Sequence, residues 1–350
     1  MAIKPSASPK SASLRVGVIG CGEIAQMRHF PALQKVNGCV VVAAADADTA
    51  RLQAAGKQFG IARQYQNYQE LLQQSDVDVV AICTPPALHS DMALAAMRAG
   101  KHTFIEKPLA LSLEECDALA AEAKQSNVKM WVGFNLRCHR LILQAREWIR
   151  AGRLGTVTAL HSTFSQQTRR RFRPGWRVAD FSGSMIWEVG VHHLDLWRYL
   201  FRTEIGEVIA TRNTGQGDDE AVVVTARLMN GAVATGLFAE GTVERNALEL
   251  YGTKGRLSIS LHRFDGLEFT PVTVYEGSLA YRAKGGLRAL RTLPGGFVQM
   301  ARGGDYAYSY REEWQRFVNA IRNGTSVESG LEDGIAATCA ALAASNSCVM

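Results

Sequence analysis

The sequence predicts an α/β protein: a doubly wound parallel sheet in the N-terminal part, then an α+β unit on a mostly antiparallel open sheet. Three observations lead there. From Leu14 to about Phe134, short apolar runs alternate with amphipathic helical patterns, as in a parallel sheet covered on both faces. After Asn135 consecutive β-like runs replace that alternation. A chain of 350 residues, 47% hydrophobic, also exceeds what one core usually organises. The expected units are a flexible tail over 1–13, a first domain over 14–134 and a second over 135–350.

In chain order, Leu14–Ile19, Cys39–Ala45, Val77–Cys83, Thr103–Ile105 and Lys129–Val132 read as buried strands. Amphipathic stretches separate them: Ala47–Phe59, Ser90–Ala99 and Ser112–Gln125, the last opened by the capping-box pair Ser112 and Glu115. A helix over His139–Ala151 stops at Gly152. Then come a strand over Thr156–Phe164, a Gly/Arg/Pro loop and a helix over Met185–Leu200. Strands follow at Val208–Asn213, Ala221–Met229, Ala232–Ala239, Ala247–Tyr251 and Arg256–Ser260, with Asn230-Gly231 as a hairpin turn. Residues 262–304 give no periodicity to place. Helices over Tyr306–Asn323 and Leu331–Ser345 close the chain.

Composition excludes several classes. With 21% charged residues the chain is neither disordered nor fibrous. No apolar run reaches the ~18 residues of a membrane span, and Met1–Ser13 lacks the apolar core of a secretory signal. The net charge of +6 concentrates in Arg169, Arg170, Arg171, Arg173 and Arg177. No nucleic-acid motif accompanies them, so a solvated loop or an anion site is expected instead of nucleic acid. Seven scattered cysteines without a Cys-x-x-Cys pair indicate free thiols, a cytoplasmic location and no zinc site.

The first strand runs into Gly20-Cys21-Gly22-Glu23-Ile24-Ala25, a G-x-G-x-x-G/A turn opening a helix. Gly20 allows the tight turn, Gly22 lets the backbone approach a pyrophosphate, and Ala25 permits close helix–strand packing. Asp46, ending the second strand, is placed to accept ribose hydroxyls and to repel a 2′-phosphate. The first domain therefore reads as a Rossmann-type dinucleotide site that prefers NAD to NADP. Thr84-Pro85-Pro86-x-x-His89 shapes the loop after the fourth strand, and Glu106-Lys107-Pro108 ends the fifth, both at the carboxyl edge where ligands bind. In the second domain Glu188, His192, His193 and Asp195 share one predicted helix, Glu188 and His192 on one face. Acid–base work, a satisfied buried histidine and metal ligation all remain open for them; no third ligand stands out.

Taken together, Val18-Ile19-Gly20-Cys21-Gly22, Thr84-Pro85-Pro86-x-x-His89, Glu106-Lys107-Pro108-Leu109 and Gly133-Phe134-Asn135 resemble the Gfo/Idh/MocA family, the glucose–fructose oxidoreductase and inositol dehydrogenase group. Ser182 to Asp195 resembles its second-domain motif, and Tyr310 to Gly324 with Leu331 to Gly334 resemble its closing helices. The likeness spans residues 14 to 346.

That resemblance implies an NAD(P)-dependent dehydrogenase acting on a secondary alcohol of a sugar, cyclitol or related polyol. Lys107 matches the family's catalytic lysine and His192 its catalytic histidine. Glu188 stands where many members carry aspartate, one methylene shorter. The cofactor set it implies is Gly20, Gly22, Glu23, Ile24, Asp46, Thr84, Pro85, His89, Glu106, Lys107, Asn135 and Arg177. Trp176 joins Lys107, Glu188 and His192 around the substrate, and no metal is expected. A lysine base needs its ordinarily high pKa lowered, which burial and a positive nicotinamide would do. His192 would orient the hydroxyl, with Glu188 holding its tautomer. Relatives imply a homo-oligomer, dimer or tetramer, through the open sheet. Two other functions stay open: redox-neutral glycoside cleavage or epimerisation through a transient keto sugar, and a non-catalytic NAD-binding sensor or partner subunit.

Overall fold

The computed structural model describes residues 13–167, 184–213, 221–275 and 303–348, with scattered positions between 277 and 296. The expected tail lies outside them save for Ser13, as do Trp176, Arg177 and the Arg169–Arg173 run.

Six parallel strands form the first sheet: β1 (Leu14–Ile19), β2 (Cys39–Ala45), β3 (Arg63–Tyr65), β4 (Val79–Ile82), β5 (His102–Ile105) and β6 (Met130–Val132). Their order is β3-β2-β1-β4-β5-β6, so the connections change direction at β1 and open a crevice beside its carboxyl end. Between the strands run α1 (Phe30–Leu33), α2 (Thr49–Phe59), α3 (Tyr68–Leu72), α4 (His89–Arg98) and α5 (Leu113–Ala123). A π turn over Ala25–His29 leads into α1. The Asp48 carboxylate caps α2, and the Ser112–Glu115 capping box opens α5 as the sequence predicts.

After α6 (Arg140–Arg150) the second sheet takes β7 (Val157–Gln166), β8 (Ile205–Arg212), β9 (Ala221–Leu228), β10 (Val233–Glu240), β11 (Arg245–Gly252), β12 (Gly255–Ser260) and β13 (Leu267–Pro271). The order is β13-β12-β11-β7-β10-β9-β8, antiparallel except for the parallel pair β7 and β10. The α/β fold class with its mostly antiparallel second sheet is thus the one the sequence predicts. Asn230-Gly231 makes the expected β9–β10 hairpin: Gly231 sits at φ 86° and the Asn230 side chain accepts from the Ala232 N–H. The helix α7 (Val191–Phe201), entered through a π turn over Ile186–Gly190, packs on one face of this sheet; Trp197 Nε1 donates to Ser162 of β7. Two strands escaped the sequence reading. β3 is a three-residue polar edge, and β13 falls in the unplaced 262–304 stretch.

The closing helices α8 (Gly304–Asn323) and α9 (Leu331–Asn346) separate in role. Helix α9 packs on α7 and β8. Helix α8 returns to the first sheet, where Trp314, Phe317 and Val318 complete a core with Val16, Val18, Phe30, Phe104 and Trp131. Trp314 stacks on Phe104 with ring centroids 4.3 Å apart. Each such buried aromatic contributes about 1.5–3 kcal/mol. The same helix extends Tyr306 and Tyr310 into the crevice between the sheets. Among the described residues no helix is long and apolar enough to cross a membrane.

Candidate active site

Gly20 takes φ 92°, and a Cβ there would lie 2.7 Å from the Cys83 carbonyl oxygen, so the turn into the first helix admits only glycine. Nothing lies within 4 Å of a Cβ built at Gly22, which leaves its backbone open to a ligand. Asp46 closes the far side: one carboxylate oxygen accepts from the Cys21 N–H at 2.7 Å, the other from the Asp48 N–H at 2.8 Å. The Arg51 guanidinium stands 3.7 Å away. Gly20, Gly22, Ile24, Asp46, Thr84 and Pro85 line a cavity of about 650 Å³. A glycine cradle at a helix start with an acid across from it fits a dinucleotide. Bound there, its pyrophosphate would lie on Gly20–Gly22 and its adenosine ribose against Asp46.

A second cavity, of about 410 Å³, shares Glu23, Ile24 and Thr84 with the first and opens toward the second domain. Lys107, following β5, projects into it and donates from Nζ to the Glu188 backbone carbonyl at 2.6 Å. The end of the first sheet is thereby tied to the π turn ahead of α7. His192 lines the same cavity, and its Nδ1 has no hydrogen-bond partner among the described residues. Burial, then the charge of Lys107, hold its pKa well below the usual value, so the ring is neutral. Glu188 lines the cavity too, but no described hydrogen bond joins it to His192.

Glu106 lies buried behind Lys107. It accepts from His29 Nε2 at 2.8 Å and from the Lys107 N–H at 3.2 Å. Trp314 Nε1, a donor only, points at His29 Nδ1 at 3.0 Å, so the imidazole proton is on Nε2 and is given to Glu106. Burial pushes the Glu106 carboxyl up, but the His29 hydrogen bond and neighbouring charge outweigh it and keep it ionised. His89 lines neither cavity. Its two ring nitrogens lie 2.6 Å from the Pro108 carbonyl and 2.9 Å from that of Thr84, bracing the two loops that carry Pro85 and Lys107. Asn135 reaches the cavity wall while its amide donates to Ser309 of α8.

Asp195 has a different task. Its carboxylate is held at both oxygens by Arg137, whose guanidinium also meets Asp333 at 2.8 Å. This buried network fixes α7 against the turn after β6 and the start of α9. Among the described residues no group of three His, Cys, Asp or Glu is placed to hold a metal ion. The sequence reading missed Arg28, Trp187, Asn246, Tyr306 and Tyr310, all of which line the second cavity. Arg28 carried a local signal, one helical turn after Ile24, and Trp187 and Tyr310 stood inside the quoted motif segments.

A glycine-turn cleft continuous with a cavity holding a lysine, a neutral histidine and a carboxylate defines a nucleotide-dependent oxidoreductase. A family model described as the oxidoreductase family with NAD-binding Rossmann fold matches residues 14–134, and one for the GFO/IDH/MocA C-terminal domain matches 142–258. The chain belongs to this Gfo/Idh/MocA oxidoreductase family. It is 28% identical over 328 residues to myo-inositol 2-dehydrogenase of Thermotoga maritima, covering 92% of each chain. An oxidoreductase domain protein from Kribbella flavida shares the fold with a TM-score of 0.81 at 23% identity, covering 96% of this chain and 97% of that one. Scyllo-inositol dehydrogenase from Lactobacillus casei, solved with NAD(H) and scyllo-inositol, shares it at 0.76 and 21% identity, with 96% of both chains covered.

Proposed function

We propose that this protein oxidises a secondary alcohol of a sugar, cyclitol or related polyol, with NAD preferred to NADP. One observation carries the reading: Lys107 and His192 line one cavity that shares the Glu23–Ile24–Thr84 wall with the glycine-turn cleft. When bound, the nicotinamide exchanges a hydride with the carbon of the substrate. The chain's residues handle the proton and the geometry. Lys107 Nζ takes the hydroxyl proton during oxidation and returns it during reduction. Its anchor is a neutral carbonyl, and an amine that has lost its proton still keeps two N–H bonds, so the Glu188 hydrogen bond holds Nζ in place through the cycle. His192, neutral and with Nδ1 unpartnered among the described residues, orients the substrate hydroxyl, and Glu188 offers a second acceptor from the π turn just before it.

Asp46 supports NAD: a 2′-phosphate would meet its carboxylate. The seven cysteines, all free, fit a reducing cytoplasm. The exposed face of β8–β10 carries Ile209, Val223 and Val233, which supports pairing with a second copy into a dimer or tetramer. The test is NADH formation from NAD+ with a panel of hexoses, inositols, uronates and glycosides. Accumulating NADH is the expected result. Consumption of a glycoside without NADH would replace it with a redox-neutral reaction, and cofactor binding without turnover of any compound would replace it with a sensor.

A further inference from the structure

The second cavity holds a charge that the reaction above does not use. Arg28, on the π turn after the glycines, lines it beside Tyr306 and Tyr310 and is only partly exposed. Its positive charge is felt at both hydroxyls. Among the described residues it makes no ion pair and no hydrogen bond, although Glu23, Glu106 and Glu188 line the same space. Glu106 is already engaged by His29. Holding a guanidinium partly out of water without a counter-ion is costly unless a ligand supplies one.

The surroundings point the same way. On the outer side of Arg28 lies a vestibule of about 290 Å³ lined by Arg28, Lys35, Arg140 and Arg311 and, among the described residues, by no acid. Asp305 neutralises Arg140 from outside that lining. Toward the interior, the cavity wall holds polar atoms without a partner among the described residues, on side chains that are almost fully buried: Asn246 Oδ1, 3% exposed, and Trp187 Nε1, 1% exposed. Asn246 Nδ2 donates to the Tyr306 hydroxyl at 2.8 Å, which leaves the tyrosine's own proton to give. Burial keeps Tyr306 protonated, its pKa pushed up to about 12, and Tyr310 is pushed up by burial as well.

We infer that the substrate carries an oxyanion, as a carboxylate or a phosphate ester, and that the Arg28 guanidinium binds it with the Tyr306 and Tyr310 hydroxyls while its alcohol lies at Lys107 and His192. The inference rests on the alcohol-oxidation reading of that cavity. A planar fork of N–H donors suits either oxyanion, and the basic vestibule would draw such a substrate in. The anionic group and the reacting hydroxyl then share one cavity, which selects sugar acids or sugar phosphates over neutral polyols.

The experiment uses the full chain loaded with NADH. Calorimetry compares D-glucuronate with D-glucose, D-gluconate with sorbitol, and glucose 6-phosphate with glucose; kcat/KM is measured for the same probes with the matching cofactor form. At least one acid or phosphate should bind about ten- to a hundredfold more tightly than its neutral counterpart, the range of a charge-assisted hydrogen-bond pair. Arg28→Gln should erase that ratio and Arg28→Lys retain part of it. Raising ionic strength should increase KM for the anionic probes alone. Equal or weaker binding of every anionic probe overturns the inference. So does an Arg28→Gln variant whose NAD affinity falls as far as its acid affinity, because the guanidinium then serves the cofactor's pyrophosphate. Acid-selective binding that Arg28→Gln erases, with no NADH formed from any probe, sinks the dehydrogenase reading and leaves only the oxyanion site standing; turnover of neutral polyols alone does the reverse.

Discussion

The two cavities are built by opposite means. The dinucleotide cleft is made largely of backbone: a glycine turn, a carboxylate fixed by two backbone N–H groups and a proline loop, within residues 19 to 92. The second cavity is made of side chains gathered from the π turn before α1, the end of β5, the turn after β6, β7, the π turn before α7 and α7 itself, β11 and α8. Backbone sites tolerate sequence drift while the turn survives. Side-chain sites depend on how distant elements are held, and here a buried ionic network and a tryptophan–histidine–carboxylate chain hold them.

That contrast can be broken most sharply at Lys107. Lys107→Met keeps the stem and removes the proton acceptor, so turnover should fall by roughly a hundred- to ten-thousandfold while NAD affinity, set by the other cavity, changes little. His192→Ala should cost less. Near-normal turnover of Lys107→Met, read by steady-state kinetics beside NAD titration, would make His192 the principal base instead.

The ionic network comes next. Asp195→Ala leaves Arg137 buried opposite a missing partner and should lower stability by about 3–5 kcal/mol, read by urea unfolding. Loss of catalytic efficiency with NAD binding retained at low denaturant would locate the damage in the side-chain cavity. Equal loss at both sites would show that the two cavities are not mechanically separable.

Histidine 193 gives a pH handle on the same helix. It is fully buried between Phe164 and Phe238, and neither ring nitrogen has a partner among the described residues. Burial lowers its pKa to about 3. Unfolding restores an ordinary value near 6.5, so below that pH the unfolded chain binds a proton the native state refuses. Stability should therefore fall as pH drops from about 6.5 toward 3, by up to ~1.4 kcal/mol per unit from this group. His193→Leu should flatten that dependence, seen as melting temperatures at pH 5 and pH 8 that draw closer together. An unchanged gap would assign the acid sensitivity elsewhere.

The smallest effect belongs to the backbone-built cleft. Asp46→Ala removes the repulsion of a 2′-phosphate and releases Arg51 to meet it, so the preference for NAD+ over NADP+ should shrink about tenfold, a change of ~1.4 kcal/mol. Equal affinities in the unmodified protein would overturn the NAD preference outright.

The same contrast explains what could be read from the sequence. β1 and β2 have the predicted bounds because a continuous apolar run between turn residues fixes a buried strand locally. Gly20, Asp46 and Lys107 were legible because each stands at a strand's carboxyl end, a position the order of elements defines. Tyr306, Tyr310 and Asn246 were not, since nothing near them in the chain says which sheet their helix or strand will face. Asp195 shows the limit from the other side. On the helix with His192 it reads as a ligand or an acid, and only Arg137, 58 residues earlier, reveals it as half of an ion pair.

The route of α8 bears on how the protein is made. Ribosomal synthesis delivers β1 to β6 first, but the layer that Trp314, Phe317 and Val318 supply to that sheet emerges only after the strands of the second sheet. Domains ordinarily fold as they leave the ribosome; here Phe104 and Trp131 lack the cover of α8 until the strands of the second sheet have been translated. Nascent chains arrested before residue 304 should consequently be more protease-sensitive across residues 14–134 than chains that include α8, and retain NAD less well.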